Sequence, residues 1–341
     1  MNKPSSNQFR SNLTATADYI SNLQQADGAI PWFADGVTDP WDHIEGVMGL
    51  TIGGHFEGAK KGFAWLAKQQ RDDGAWFAAY NSQGVADGSR AETNFVAYAA
   101  TGLWHYFVST EDQDTLTKYW PMVERAMAFV LAQQAPTGEI YWAVDTAKGT
   151  SEDALVTGCS SIHKSLEAAA NIADRLGKDG LVYREARRQL GDTIRNKPER
   201  FDRTWESKAR FSMDWFYPIL TGVIRGNAAR QRLDARWAEF VEADLGCRCV
   251  ADQPWVTVAE TCELILACLA AERHDAAVRL FKNLQQFQLT DGSWWTGYVF
   301  TDKVFWPDER PTWTAAAILI AADALYQMTP AANFFINVSE T

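Results

Sequence analysis

Four stretches of this chain share one plan, and that plan limits the fold more than any other feature of the sequence. Tyr19-Ile-Ser-Asn-Leu-Gln-Gln-Ala-Asp-Gly28, Trp65-Leu-Ala-Lys-Gln-Gln-Arg-Asp-Asp-Gly74-Ala-Trp76, Phe129-Val-Leu-Ala-Gln-Gln-Ala-Pro-Thr-Gly138 and Phe281-Lys-Asn-Leu-Gln-Gln-Phe-Gln-Leu-Thr-Asp-Gly292-Ser-Trp294 each run from an aromatic through apolar residues to Gln-Gln, a short polar turn and Gly. Such a stretch reads as a helix whose apolar stripe ends at the glutamines. A turn follows in which Gly takes a positive φ, then an extended segment whose aromatic packs back. A recurring helix end implies a recurring helical unit, the mark of ring and array architectures.

Between the copies, apolar residues at three- and four-residue spacing predict about twelve helices, near 8–24, 41–53, 57–70, 91–109, 115–134, 153–175, 179–196, 212–225, 228–244, 257–272, 274–288 and 311–328. The even-numbered ones are rich in Gly, Ala, Ser and Thr and poor in Lys and Arg, as in Ala91-Glu-Thr-Asn-Phe-Val-Ala-Tyr-Ala-Ala-Thr-Gly102, and so suit burial on most sides. The odd-numbered ones, such as Arg230-Gln-Arg-Leu-Asp-Ala-Arg-Trp237, carry a charged face and are amphipathic. Helical hairpins with one inner and one outer member close into an all-α (α/α)6 toroid, whose central cavity opens where the inner helices begin. One such domain spans residues 1–341, with short flexible termini at about 1–7 and 330–341.

The stretch Lys61-Gly-Phe-Ala-Trp-Leu-Ala-Lys-Gln-Gln-Arg-Asp-Asp-Gly-Ala-Trp76 resembles the Gln-Trp repeat of squalene and hopene cyclases. The helical alternation is similar to the terpenoid cyclase and protein prenyltransferase toroids and to the six-hairpin glycosidases. Both resemblances imply the toroid; they differ in chemistry. The cyclases carry an Asp-x-Asp-Asp acid, which is absent here, and Asp72-Asp73 runs into Gly74-Ala75-Trp76 rather than a DDxxD diphosphate motif. The zinc-binding Asp, Cys and His of the prenyltransferases have no match. The glycosidase resemblance therefore leads, and it implies an inverting hydrolase with two working carboxylates.

Composition narrows the partners. The net charge is −11 with no Lys/Arg-rich run, which argues against nucleic acid. No apolar run reaches the roughly eighteen residues of a membrane span, and the polar opening MNKPSSNQFRSNLTATADY points to a cytoplasmic protein. The five cysteines, Cys159, Cys247, Cys249, Cys262 and Cys268, lack CxxC spacing, so neither a metal nor another cofactor is expected; Cys247 and Cys249 flank a single Arg, which suits the alternating faces of an extended segment. Fifteen tryptophans, in a chain that is 13% aromatic, exceed what core packing recruits and suit a small-molecule partner, either a sugar or glycoconjugate or an isoprenoid.

In such a ring the inner-helix starts converge, and most of them offer a carboxylate with an aromatic nearby. The expected catalytic groups are Asp42, Glu92, Asp214 and Glu260. Facing an apolar cavity, such carboxylates lose hydration and rise in pKa, as a general acid near neutral pH requires. Substrate contacts are expected from Trp41, Asn94, His163, Trp215, Tyr217, Trp255, Trp294, Trp295, Arg310 and Trp313. In the adjacent pair Trp294-Trp295 one ring can pack while the other faces the cavity. Capping is the competing explanation: Asp39 before Pro40 reads as an N-cap, Asp42 fits its capping box, and Thr257 to Glu260 has the same spacing. A toroid that merely binds a ligand would have all four carboxylates bonded to their own helix N–H groups. His43 and Cys159 read as structural.

Overall fold

The computed structural model describes residues 6–337, with side chains from Asn12 onward. The helices are α1 (Ser6–Leu23), α2 (Pro40–Ile52), α3 (Phe56–Gln69), α4 (Thr93–Thr110), α5 (Gln113–Leu131), α6 (Val156–Arg175), α7 (Leu181–Asn196), α8 (Ser212–Leu220), α9 (Gly226–Phe240), α10 (Val258–Ala270), α11 (His274–Leu284) and α12 (Thr312–Tyr326). The even-numbered helices pack each on the next, α2 on α4 round to α12 on α2, and form a closed inner ring. The odd-numbered helices pack outside it. The fold is thus the all-α toroid.

Small residues let the inner helices approach. Gly102 of α4 has no Cβ, and one built there would lie 2.6 Å from Ile44 Cγ2 on α2. Gly49 of α2 leaves the same kind of room for Ala316 of α12. Helix α8 stops earlier than the periodicity predicts, because Pro218 lies within it and Gly222 takes a positive φ just beyond.

The repeats act as clamps between successive outer helices. Gln24, Gln70 and Gln134 each donate from Nε2 to the carbonyl of the glycine four residues on, at 3.0, 2.8 and 3.1 Å. Each also donates to a carbonyl on the next outer helix: Gly58, Met122 and Ala186. The turn glycine presses against that helix, so a Cβ on Gly28 would lie 2.2 Å from Lys61 O and one on Gly74 2.3 Å from Arg125 O. In the fourth copy the glutamine so placed is Gln288, not the Gln285-Gln286 pair that the sequence aligns. Gln288 reaches Asn12 O while Gly292 packs on Ala15, so this copy joins the end of the ring to α1. Trp76 donates its indole N–H to Leu66 O, and Trp294 donates to Thr16 Oγ1 at 3.0 Å.

The two faces of the ring differ. Inner helices pass to the following outer helices through two to five residues, whereas the connections into the inner helices run to 15–27 residues and carry all the strands. These form a hairpin of β1 (Ala79–Asn81) and β2 (Gly84–Asp87), and a sheet of β3 (Arg90–Glu92), β4 (Ala143–Asp145) and β5 (Gly149–Ser151). The third sheet has β6 (Val241–Glu242), β7 (Gly246–Arg248), β8 (Trp255–Thr257), β9 (Gly297–Val299) and β10 (Val304–Phe305) in the order β10-β9-β8-β7-β6. Cys247 lies in β7, with Cys249 just beyond it, as the extended reading expects. The sheets build a rim around the starts of the inner helices.

The opposite end is plugged. Residues beyond about 330 were expected to be a flexible tail, but Ala331, Ala332, Phe334 and Phe335 are buried. Asp323 holds this segment by accepting from the Thr329 N–H and hydroxyl, each at 2.7 Å. The expected loose ends at 1–5 and 338–341 lie outside the described residues. Among the described residues no helix is long and apolar enough to cross a membrane.

The clamp yields a prediction. Gly74→Ala must carry a Cβ at φ +89° against a backbone carbonyl and should cost at least about 2 kcal/mol in urea unfolding. Gly177→Ala, at φ +67° in the left-handed region with nothing near, should cost only about 1 kcal/mol. Equal losses would remove the clamp from the account.

Candidate active site

At the mouth, Asp39 caps α2 by accepting from the Asp42 N–H at 2.9 Å, and Pro40 stands at the first helical position. Its second oxygen accepts from the Trp32 indole at 2.6 Å. With Asp39 as the cap, the carboxylate of Asp42 is left over. Burial first, then Asp39, Glu45 and Glu263, hold the Asp42 pKa well above the usual carboxylate range.

One turn below Asp42, Glu45 accepts from the Tyr98 hydroxyl of α4 at 2.8 Å. Across the ring, Glu263 of α10 accepts from the Tyr217 hydroxyl of α8 at 2.5 Å. Burial raises both carboxyls, Glu45 to about 7. Trp41 lies over this layer, stacked on Tyr98 with ring centroids 4.1 Å apart and tilted to Tyr217 at 6.4 Å. Beneath is a cavity of about 20 Å³, lined among others by Glu45, Tyr98, Lys164, Tyr217, Glu263 and Phe335. That is room for about one water. Lys164 is paired with Glu167 at 2.8 Å, and Glu167 also takes Arg187 at 2.6 Å.

Glu260 occupies the third position of α10, as Asp42 does in α2 and Asp214 in α8. The capping box that its spacing suggests does not form. Thr257 makes no side-chain cap bond, and both its hydroxyl and Glu260 Oε2 are buried without a protein partner. Glu92 at the start of α4 makes no cap bond either; it pairs with Arg90 at 2.7 Å, and burial, opposed by Arg90, raises its carboxyl. The charges that act on one another thus group Asp39, Asp42, Glu45, Glu92, Glu260 and Glu263 into one acidic field. Asp214 is raised to about 6 by burial, but its charged neighbours are Arg232, Asp202 and Arg236. It stands apart from that field.

The substrate-contact residues divide. Trp41 and Tyr217 form the floor, and Asn94 and Trp313 lie half-buried in the first turns of α4 and α12, with the Trp313 indole N–H buried and unpartnered. Trp255, Trp295 and Arg310 lie in the rim, where the Arg310 guanidinium sits 4.7 Å from the Trp295 ring centre. Three expectations need correcting. His163 is buried among α6, α7 and α8, 3.3 Å from Thr221 O, and burial holds it well below the usual histidine range. Trp215 stacks on Phe240 at 5.2 Å and donates to Arg232 O, fixing α8 to α9. Trp294 is spent on the ring-closing contact with Thr16. His163 and Trp215 point from inner helices toward outer ones, and Trp294, in the connection before α12, points to α1. His43, pushed down to about 4 by burial, accepts from the Ile30 N–H and bonds Gly62 O, which makes it structural as read.

Glu45, Glu263 and Tyr98 were not singled out from the sequence. Their signal was there: Glu45 and Glu263 follow Asp42 and Glu260 by three residues each, which places each pair on one helix face. Among the described residues no cluster of three or more His, Cys, Asp or Glu could hold a metal ion.

No family model matches the sequence. Over 323 residues the chain is 44% identical to the MMP endo-(1,4)-3-O-methyl-alpha-D-mannosidase of Mycolicibacterium hassiacum, covering 95% of this chain and 88% of that protein. Among solved structures it is similar to a glycosidase variant in complex with glucose, with TM-score 0.74, 14% identity, 95% of this chain and 99% of that one. It is also similar to D-mannose isomerase, with TM-score 0.68, 11% identity, 96% of this chain and 99% of that one. At these identities the structural likenesses speak to the fold.

The Glu45 environment makes a signed prediction. A carboxyl at about 7 in the fold, against about 4.5 unfolded, keeps its proton when folded. Its stabilising contribution is full below pH 4.5 and is lost as pH rises through 7. Glu45→Gln should therefore gain thermal stability over the parent as pH goes from 5 to 8; a difference in Tm that does not change with pH contradicts this environment.

Proposed function

This chain belongs to the family of the Mycolicibacterium hassiacum mannosidase, and from that membership we propose that it is a glycoside hydrolase cleaving α-(1,4) bonds in 3-O-methylated mannose chains. Asp42 is the general acid and Glu260 the general base, within one toroid domain. The observation that carries the reading is the difference between two carboxylates at equivalent helix positions. Asp42 is relieved of capping by Asp39 and its carboxyl is raised by burial and acidic neighbours, whereas Glu260 has a buried oxygen with no protein partner.

Protonated Asp42 donates to the glycosidic oxygen as the bond breaks, while Glu260 takes a proton from water attacking the opposite face of the sugar. The two residues stand on α2 and α10, which flank α12 on either side. With Glu260 activating water rather than attacking the sugar itself, the product anomer is inverted. Trp41 supplies a flat floor for the sugar ring. The carboxylates at the mouth favour this reading over the isoprenoid one, since a polyisoprene chain would cover Asp42 and Glu260 without offering either a hydrogen bond.

Asp42→Asn and Glu260→Gln should each lower kcat on a 3-O-methylated α-(1,4)-mannooligosaccharide by about a thousandfold or more, with thermal stability retained. Asp214→Asn should leave kcat within about tenfold. Proton NMR of the first product should show the β anomer. Activity that survives Asp42→Asn and Glu260→Gln, or an α product, would refute the assignment.

A further inference from the structure

The rim beside Glu260 carries an aromatic shelf that neither the fold nor the chemistry above requires. Trp255 opens β8, which leads directly into α10, and its indole N–H donates to the Trp306 carbonyl at 2.8 Å while the two rings meet edge to face at 5.1 Å. Trp295 and Phe305 stack with centroids 5.0 Å apart and planes at 9°, and Arg310 covers Trp295 just before α12 begins. Despite these contacts Phe305 stays 41% exposed and Trp306 54% exposed. Large aromatics held this firmly yet left open to solvent mark a binding surface more often than a folding need.

The ligand's chemistry follows from what surrounds the shelf. The neighbouring site is a field of carboxylates and the chain is strongly acidic, so an anion is disfavoured. Flat rings suit the C–H faces of sugars. The Trp255 indole N–H is already used within the shelf, so much of what faces outward is ring carbon, a poor partner for a hydroxyl and a good one for a methyl ether. Each methyl group buried there should be worth about fourfold in affinity.

We propose that Phe305 and Trp306, backed by Trp255 and Trp295, form a distal subsite that holds 3-O-methylated sugar residues beyond the cleaved bond and sets a preference for methylated over unmethylated chains. The proposal rests on the hydrolase reading for its substrate, and its test separates the two. Calorimetric titration of the Asp42→Asn protein with a 3-O-methylated α-(1,4)-mannooligosaccharide and with its unmethylated counterpart should show tighter binding of the methylated chain. Adding Trp306→Ala or Phe305→Ala should weaken that binding about tenfold and abolish the preference, while Trp306→Phe keeps most of it. Equal binding of the two sugars, or a preference that survives Trp306→Ala, overturns the subsite even if the parent protein hydrolyses the chain. A ring-dependent preference without hydrolysis by the parent protein supports the subsite and sinks the hydrolase reading. Binding of neither sugar overturns both.

Discussion

A glutamine amide reaching two carbonyls at once is the interaction on which this ring depends. One bond closes the turn that ends an outer helix and the other grips the next outer helix, so the same side chain both finishes a unit and sets its spacing. The turn glycine makes the grip close, since any side chain there would occupy the neighbour's backbone. Each buried amide bond contributes roughly 1 kcal/mol, and the arrangement is more valuable for geometry than for energy. It fixes the outer ring, the outer ring presses the small-residue faces of the inner helices together, and the inner helices bring their first turns to one mouth.

The fold was legible because its information is local and repeated. Small residues on the even helices and charged faces on the odd ones record which side of each helix meets what. The Gln-Gln pattern misled in the fourth copy, because the pair Gln285-Gln286 stands just before Gln288, and it is the four-residue spacing to Gly292 and the partner on α1 that mark Gln288. The strands escaped because each is only two to four residues long, too short for an alternating pattern to stand out, and the pairs β3 with β4 and β8 with β9 join segments far apart in sequence. The site was legible in part, since helix starts name Asp42 and Glu260. Direction around a helix decided the rest: Trp215 and His163 share inner helices with floor residues yet turn outward, while Glu45 and Glu263 lie one turn below the positions that attract notice.

The acidic layers set stability against use. Burial raises the carboxyls of both Glu45 and Glu263, and the hydroxyls of Tyr98 and Tyr217, which donate to them, only partly oppose it. Whatever charge they do carry bears on Asp42 above them and raises its carboxyl in turn. The aromatic stack of Trp41 and Tyr98 separates that layer from the mouth, which is floored by a flat apolar surface while Glu45 and Glu263 stay beneath it. A polar ring interior is costly to fold, and here that cost lies directly beneath Asp42.

Closure through α1 also has a consequence for how the chain is made. The contact between Trp294 and Thr16 joins residues 278 apart in sequence, and α12 completes the inner wall against α2 only after every other helix has been synthesised. Until then the flank of α2 around Gly49 lacks the surface of α12 that covers it. A nascent chain leaving the ribosome therefore carries an unfinished apolar seam throughout translation, and such long-range closure is slow. Molecular chaperones that shield apolar helix faces should hold this protein until its last helix emerges.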